Sequence, residues 1–172
     1  MAGDTFLYEP TVPNLAAPQY LLADVESNTI LAASDLSTPA PIASVTKLMT
    51  ALIAAEYINL DQRVTVGSST LVQSIVPRLR DRMSVSMYSL LQLLLVESSN
   101  EAAEVIAAQL GRERFIALMN QKARSLGMNT TTFTDPSGLD AGNVSTLRDL
   151  LRLGQYIHSN RSFIWELTAN AD

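Results

Sequence analysis

The stretch "ASVTKLMTALIAAE", residues 43–56, sets Ser44 and Lys47 three positions apart at the head of an apolar, helix-forming run. Residues at that spacing share a helix face, with Cβ atoms roughly 5–6 Å apart, so the lysine can reach the serine hydroxyl. Kept neutral by burial and nearby positive potential, such a lysine accepts the hydroxyl proton as the oxygen attacks a carbonyl carbon. A helix start adds unpaired backbone N–H groups and the positive end of the helix dipole, both of which favour developing negative charge. The same two residues also have an ordinary use, because serine is a good N-cap and lysine a good helix former. Context raises the chemical reading. Lys47 is one of two lysines in the chain, and its run is apolar enough to be buried, where an unpaired ammonium is costly.

A second constellation lies in "VESSNEAAEVIA", residues 96–107, where Ser98 and Asn100 flank Ser99 between two expected helices. At such a junction a hydroxyl can relay a proton and an amide can hold a peptide group. Ser98, Ser99 or Asn100 could equally cap the helix that follows. Two other features are weaker. Arg78, Arg80 and Arg82 alternate in "PRLRDR" and on an extended segment could meet a carboxylate, but solvated surface charge is the preferred reading. His158 would have to be the base of any serine–histidine triad, yet it sits near the end of an expected helix, where a half-exposed histidine favoured by the dipole is commoner.

The elements that must position these residues are read from composition and pattern. With 172 residues, 47 % hydrophobic and 17 % charged, the chain can bury one core or form one lobe of something larger. A net charge of −5 without a basic block lacks the footprint of a nucleic-acid binder. There is no cysteine and only one histidine, so thiolate metal sites and disulfides are excluded, and no metal or organic cofactor is implied. Glu56, Gln92 and Glu97 interrupt every candidate membrane span. The opening "MAGDTFLYEP" lacks the pattern of a secretory signal, which leaves a cytoplasmic protein or one whose leader was replaced by Met1.

Residues 1–17, with Pro10 and Pro13, read as an irregular leader. "QYLLADVESNTILAAS" predicts a hairpin with strands near 19–24 and 29–33. A helix is expected over about 44–58, followed by an irregular excursion with short β-prone pieces to residue 85. "SMYSLLQLLLVES" predicts a helix buried on all sides. Two further helices end at Gly111 and Gly127. "TTTFTDPSGLDAGN" is turn-rich, and "STLRDLLRLGQYIHSN" is the last clear helix, capped by Ser145 or Thr146. A lone hairpin needs further strands beside it, and none of good quality follows.

Ser44-x-x-Lys47 in "PIASVTKLMTA", Ser98-x-Asn100 in "ESSNEAAEVIA", then "SLGMNTTTFTDPSGLD" and "NVSTLRDL", resemble the low-molecular-mass penicillin-binding proteins. These are serine D-alanyl-D-alanine carboxypeptidases and endopeptidases, related to the serine β-lactamases. The match runs in order over roughly residues 18–168 and includes the hairpin before Ser44. The resemblance implies an α+β, β-lactamase/D,D-peptidase-like fold: a helical lobe plus an N-terminal strand pair, with residues 18–172 a partial catalytic domain. It makes Ser44 the acylated nucleophile, Lys47 its base, Ser98 a proton relay to the leaving group, and Asn100 a holder of the substrate's peptide carbonyl. The Ser44 N–H would donate to the oxyanion. "DPSGL" and "NVSTLRDL" are expected to carry structure, with Gly138 permitting a turn and Asp149 in the first turn of the last helix.

The implied partners are peptidoglycan stem peptides and β-lactam antibiotics, in the periplasm or another extracytoplasmic part of the cell envelope; a membrane anchor is not visible in these residues. The family's third motif, Lys-Thr-Gly or Lys-Ser-Gly, is absent, because Lys47 precedes Leu48 and Lys122 precedes Ala123. The C-terminal sheet strands that carry it are therefore expected to be missing, leaving the hairpin edge exposed. The alternatives are a non-catalytic relative that binds peptidoglycan or a partner, and a serine β-lactamase, for which no deacylating-glutamate motif follows Ser-x-Asn.

Overall fold

The structure, a computed structural model, describes residues 15–74 and 76–169. Residues 1–14 of the expected leader lie outside the described residues. The expected hairpin is present: β1 (Leu21–Asp24) pairs antiparallel with β2 (Thr29–Ala33), Leu21 opposite Ala33 and Asp24 opposite Thr29. Its turn closes because the Asp24 carboxylate accepts from the Glu26 and Ser27 N–H groups, while Asn28 takes φ 57°, a left-handed conformation asparagine tolerates. Among the described residues no third strand joins this pair.

A 3-10 turn, Ala43–Val45, leads into α1 (Thr46–Tyr57), the element around which the core is built. Met49, Leu52 and Ile53 of α1 have no exposure, and the helix packs against α2 (Met87–Leu95), α3 (Asn100–Ala108) and α4 (Arg112–Ser125). Each buried side chain of this size contributes roughly 1.5–3 kcal/mol. The loop before α2 is drawn in by β4 (Arg63–Thr65) and β5 (Ser84–Ser86), with buried Val64 opposite buried Val85.

Three features differ from the sequence reading. Helix α2 is buried on one side only: Met87, Leu90, Leu91 and Leu94 face the core, whereas Tyr88 is 51 % exposed and Gln92 is exposed. The half-buried Leu93 and Leu95 fill the gaps in its apolar pattern and conceal this ordinary amphipathic spacing. A two-residue pairing of β3 (Ala40–Pro41) with β6 (Val144–Ser145) ties the entry of α1 to the turn-rich loop. Strands this short leave no periodicity to read. After α5 (Leu147–Asn160) the chain bends at Arg161 and continues as α6 (Phe163–Ala169), whose Ile164 and Leu167 enter the core. No helix among the described residues is long and apolar enough to cross a membrane.

Candidate active site

Lys47 is held in a cage built from three parts of the chain. Its ammonium donates to Ser44 Oγ at 3.1 Å from the same helical entry, to Asn100 Oδ1 at 2.8 Å from the first turn of α3, and to the Ser137 carbonyl at 2.7 Å from the turn-rich loop. Lys47 is 3 % exposed, while Ser44 remains exposed. Burial lowers the Lys47 pKa from the usual lysine range to about 8, and the negative charge of Asp135 partly opposes that fall. Near neutral pH a useful fraction of this amine is therefore unprotonated, at hydrogen-bond distance from an accessible hydroxyl.

The ordinary use of Ser44 is not the one adopted, because no side-chain cap bond serves either the 3-10 turn or α1. At the second constellation the capping job falls to Ser99, whose Oγ accepts from the Ala102 N–H at 3.2 Å. Asn100 is thereby left to face Lys47, and its amide nitrogen donates to the Gln73 carbonyl at 2.8 Å. Ser98 stands half-buried with φ 54°, a left-handed conformation that costs a non-glycine residue about 1 kcal/mol or more. Among the described residues no hydrogen bond joins Ser98 to Lys47. Such strain recurs at Ala43, φ 44°, immediately before Ser44.

What the sequence reading missed is the bracing by the turn-rich loop. Asp135 Oδ1 accepts from the Ser137 N–H, the Ser137 hydroxyl and the Gly138 N–H, and its Oδ2 accepts from the Asp140 N–H at 2.6 Å. Burial alone would raise this carboxyl, but the N–H groups of Asp140, Gly138 and Ser137 more than reverse that and hold it below the ordinary carboxylate range. Asn143, fully buried, accepts from the N–H groups of Thr134 and Asp135 and donates to Thr46 Oγ1 at 2.9 Å and to the Asp135 carbonyl at 3.0 Å. Thr50 Oγ1 donates to the Pro136 carbonyl at 2.6 Å. Gly138 passes so close to the 3-10 turn before α1 that a Cβ there would lie 1.9 Å from the Ala43 carbonyl oxygen. The available signal was local: Asp-Pro-Ser-Gly is a turn with an acceptor at its first position.

The remaining candidates lie elsewhere. Arg78 pairs with Glu97 at 2.9 Å, and Arg82 is solvated beside Asp81. His158 lies on α5 near Glu26 of the hairpin turn, at 3.8 Å. Asp149 is buried at the start of α5, where Thr130 N–H, Thr131 Oγ1 and Arg152 converge on its carboxylate.

A buried lysine thus reaches a serine one turn earlier, braced by an asparagine and a loop carbonyl. The chain belongs to the D-alanyl-D-alanine carboxypeptidase family, whose profile its residues 7–171 match. It is 36 % identical over 146 residues to a D-alanyl-D-alanine endopeptidase of Escherichia coli, covering 82 % of this chain and 47 % of that protein. A D-alanyl-D-alanine carboxypeptidase structure from Mycobacterium tuberculosis superposes with a TM-score of 0.86 at 30 % identity, over 98 % of this chain and 64 % of that one. A Listeria monocytogenes penicillin-binding protein in its ampicillin-bound form gives a TM-score of 0.80 at 30 % identity, over 92 % of this chain and 68 % of that one. The chain spans about half the length of the curated relatives it matches. The α+β fold expected of a penicillin-binding protein is the fold observed.

Proposed function

We propose that this chain carries the nucleophile half of a serine D,D-peptidase site acting on D-alanine-containing peptidoglycan stem peptides through an acyl-enzyme on Ser44. The observation that carries the reading is the 3.1 Å bond between a buried, pKa-lowered Lys47 and an exposed Ser44 hydroxyl. Neutral Lys47 takes the Ser44 proton as Oγ bonds to the carbonyl carbon of the penultimate D-alanine. The Ser44 N–H, in a first helical turn and so without an acceptor inside the helix, stabilises the oxyanion. Collapse breaks the C–N bond, and the departing amine receives the Lys47 proton through Ser98. Water then attacks the ester and returns Ser44 to its free form. Asn100 holds Lys47 on one side and offers its amide to the substrate's peptide carbonyl.

The same nucleophile opens a β-lactam ring and retains it as an ester. Removal of a terminal D-alanine and cleavage of a cross-link share this chemistry; the identity to an E. coli endopeptidase favours the second. Residues 18–172 act as part of the catalytic domain, in the periplasm or an equivalent extracytoplasmic compartment. A second reading is a non-catalytic relative that binds peptidoglycan or a partner protein; the observation on its side is that, among the described residues, Lys47 bonds Ser44, Asn100 and Ser137 but not Ser98.

The test is intact-protein mass spectrometry after incubation with benzylpenicillin, with Ser44→Ala as control. A stable adduct lost in Ser44→Ala is expected. No adduct on a folded sample supports the non-catalytic reading, and an adduct that turns over rapidly identifies a β-lactamase.

A further inference from the structure

We infer that Asp135 is a positioning residue for Lys47: its carboxylate folds the loop that presents the Ser137 carbonyl to the ammonium, and supplies the negative charge that opposes the lysine's burial. The inference rests on the reading of Lys47 as the base for Ser44.

The geometry is a short chain of contacts. Asp135 Oδ1 gathers the N–H groups of Ser137 and Gly138, at 2.5 and 2.6 Å, and the Ser137 hydroxyl at 3.0 Å. That tight turn sends the Ser137 carbonyl the other way, onto Lys47 Nζ at 2.7 Å. Asn143 fixes both the N–H and the carbonyl of Asp135 and binds Thr46 Oγ1 beside Lys47, so the carboxylate is tied to the helix that carries the base. This arrangement costs four hydrogen bonds to a 4 % exposed carboxylate, and a neutral turn residue would form the loop without burying a charge.

The electrostatic surroundings single out this carboxylate. Around Lys47, the 3-10 turn contributes the Ser44 hydroxyl, α3 the Asn100 amide and the loop the Ser137 carbonyl, all uncharged, and among the described residues Asp135 is the charge that acts on it. On its other side Asp135 borders a pocket of about 350 Å³ with Glu104, Arg112 and Asp140, where Arg112 is bound to Glu104 at 2.9 Å. A base works best with its pKa near the working pH. Burial alone would leave Lys47 a weaker base, and Asp135 restores part of its proton affinity without touching it.

The sign of a mutational effect separates this from a purely structural role. If the carboxylate only shaped the loop, losing it would loosen the cage, hydrate Lys47 and raise its pKa toward that of free lysine. If its charge acts as inferred, losing it lowers the pKa. The chain has two lysines, so lysine labelled with carbon-13 at Cε gives two signals, with Lys122, paired to Glu56, as internal reference. In the wild type the Lys47 signal should titrate with a midpoint near 8. In Asp135→Asn, whose Oδ1 can keep the three bonds of the turn, the midpoint falls and the neutral fraction at pH 7 rises roughly two- to tenfold. In Asn143→Ala, which releases the loop and removes no charge, the midpoint rises.

An unchanged or raised midpoint in Asp135→Asn overturns the inference. Should that variant fail to fold, the wild type decides: the Lys47 signal takes a second, smaller step as Asp135 protonates below the ordinary carboxylate range, and a signal that stays flat through that protonation overturns it. The titration needs no acylation. A missing penicillin adduct beside a lowered midpoint removes the proposed function and leaves the coupling, whereas an adduct with an unmoved midpoint removes the coupling alone.

Discussion

Gly138→Ala tests whether the loop sets the position of Ser44, the proposed nucleophile. The added Cβ would meet the Ala43 carbonyl oxygen at 1.9 Å, its carbon at 2.4 Å and the Ser44 nitrogen at 3.1 Å. To reach even the 3.0 Å that real Cβ atoms keep, backbone must separate from backbone by about 1 Å, with no flexible side chain to give way. Gly138 also holds φ 85°, where alanine is strained by about 1–2 kcal/mol. The displaced peptide is Ala43–Ser44, the unit whose N–H is proposed to bind the oxyanion. A misplacement of about 1 Å near a reacting centre costs on the order of 10²-fold, and loss of one oxyanion donor about 10²- to 10³-fold. The expected result is benzylpenicillin acylation slowed at least about 10²-fold, read by intact mass against time, with unfolding stability in urea lowered by about 2–4 kcal/mol. Gly154→Ala is the control. Gly154 lies within α5 with nothing within 4 Å of an added Cβ, so stability should rise by about 0.5–1 kcal/mol at an unchanged rate. Acylation of Gly138→Ala within about threefold of wild type would refute the reasoning.

Acylation should rise with pH through about 8, the range in which Lys47 loses its proton, and a stopped-flow pH series checks it. Stability should rise as well: Lys47 ionises near 8 when folded and near 10.5 when unfolded, so between those values the unfolded chain binds more protons and alkalinity favours folding, measurable by urea titration at each pH. Lys122→Met leaves the Glu56 carboxylate, bound at 2.6 Å with both side chains at most 15 % exposed, with only the Tyr156 hydroxyl, and should cost about 2–4 kcal/mol in urea. Ser98→Gly should relieve the left-handed strain and stabilise by about 0.5–1 kcal/mol while slowing acylation; a variant at wild-type rate would show that this hydroxyl moves no proton.

The parts of the fold legible in the sequence were those fixed by local rules. Gly127 ends α4 at φ 73°, as glycine permits, whereas α3 already stops at Ala108 and Gly111, φ 84°, stands at the start of α4; Thr146 caps α5 by accepting from the Asp149 N–H. Lys47 and Ser44 were legible because one helical turn fixes their separation. The partners of Lys47 were less so: Asn100 lies 53 residues away and Ser137 90 residues away, and such pairings follow from packing rather than from spacing. Ser98, Ser99 and Asn100 were ambiguous for a physical reason. All three side chains can cap, and only the backbone geometry, with Ser98 at φ 54° and Ser99 extended, decides which one does.

The division of labour in the site follows from the cost of keeping a lysine amine inside a protein. A helix alone brings Lys47 to Ser44 but offers nothing to its other two donors, and an unsatisfied buried ammonium would pull the helix toward solvent. Asn100 and the Ser137 carbonyl satisfy those donors with uncharged oxygens, which bind the ammonium without pairing it to a carboxylate in direct contact. Lys122 has the opposite environment. Burial there too works against its charge, but direct contact with Glu56 reverses this and raises its pKa. One fold thus holds two largely buried lysines whose pKa values move in opposite directions, and the distinction lies in whether the carboxylate touches the nitrogen or, like Asp135, acts from beyond a turn of backbone. Bringing a carboxylate into direct contact with Lys47, for example by Asn100→Asp, should therefore raise its pKa toward that of Lys122, detectable as an upward-shifted lysine Cε titration in a folded protein whose acylation at pH 7 is suppressed.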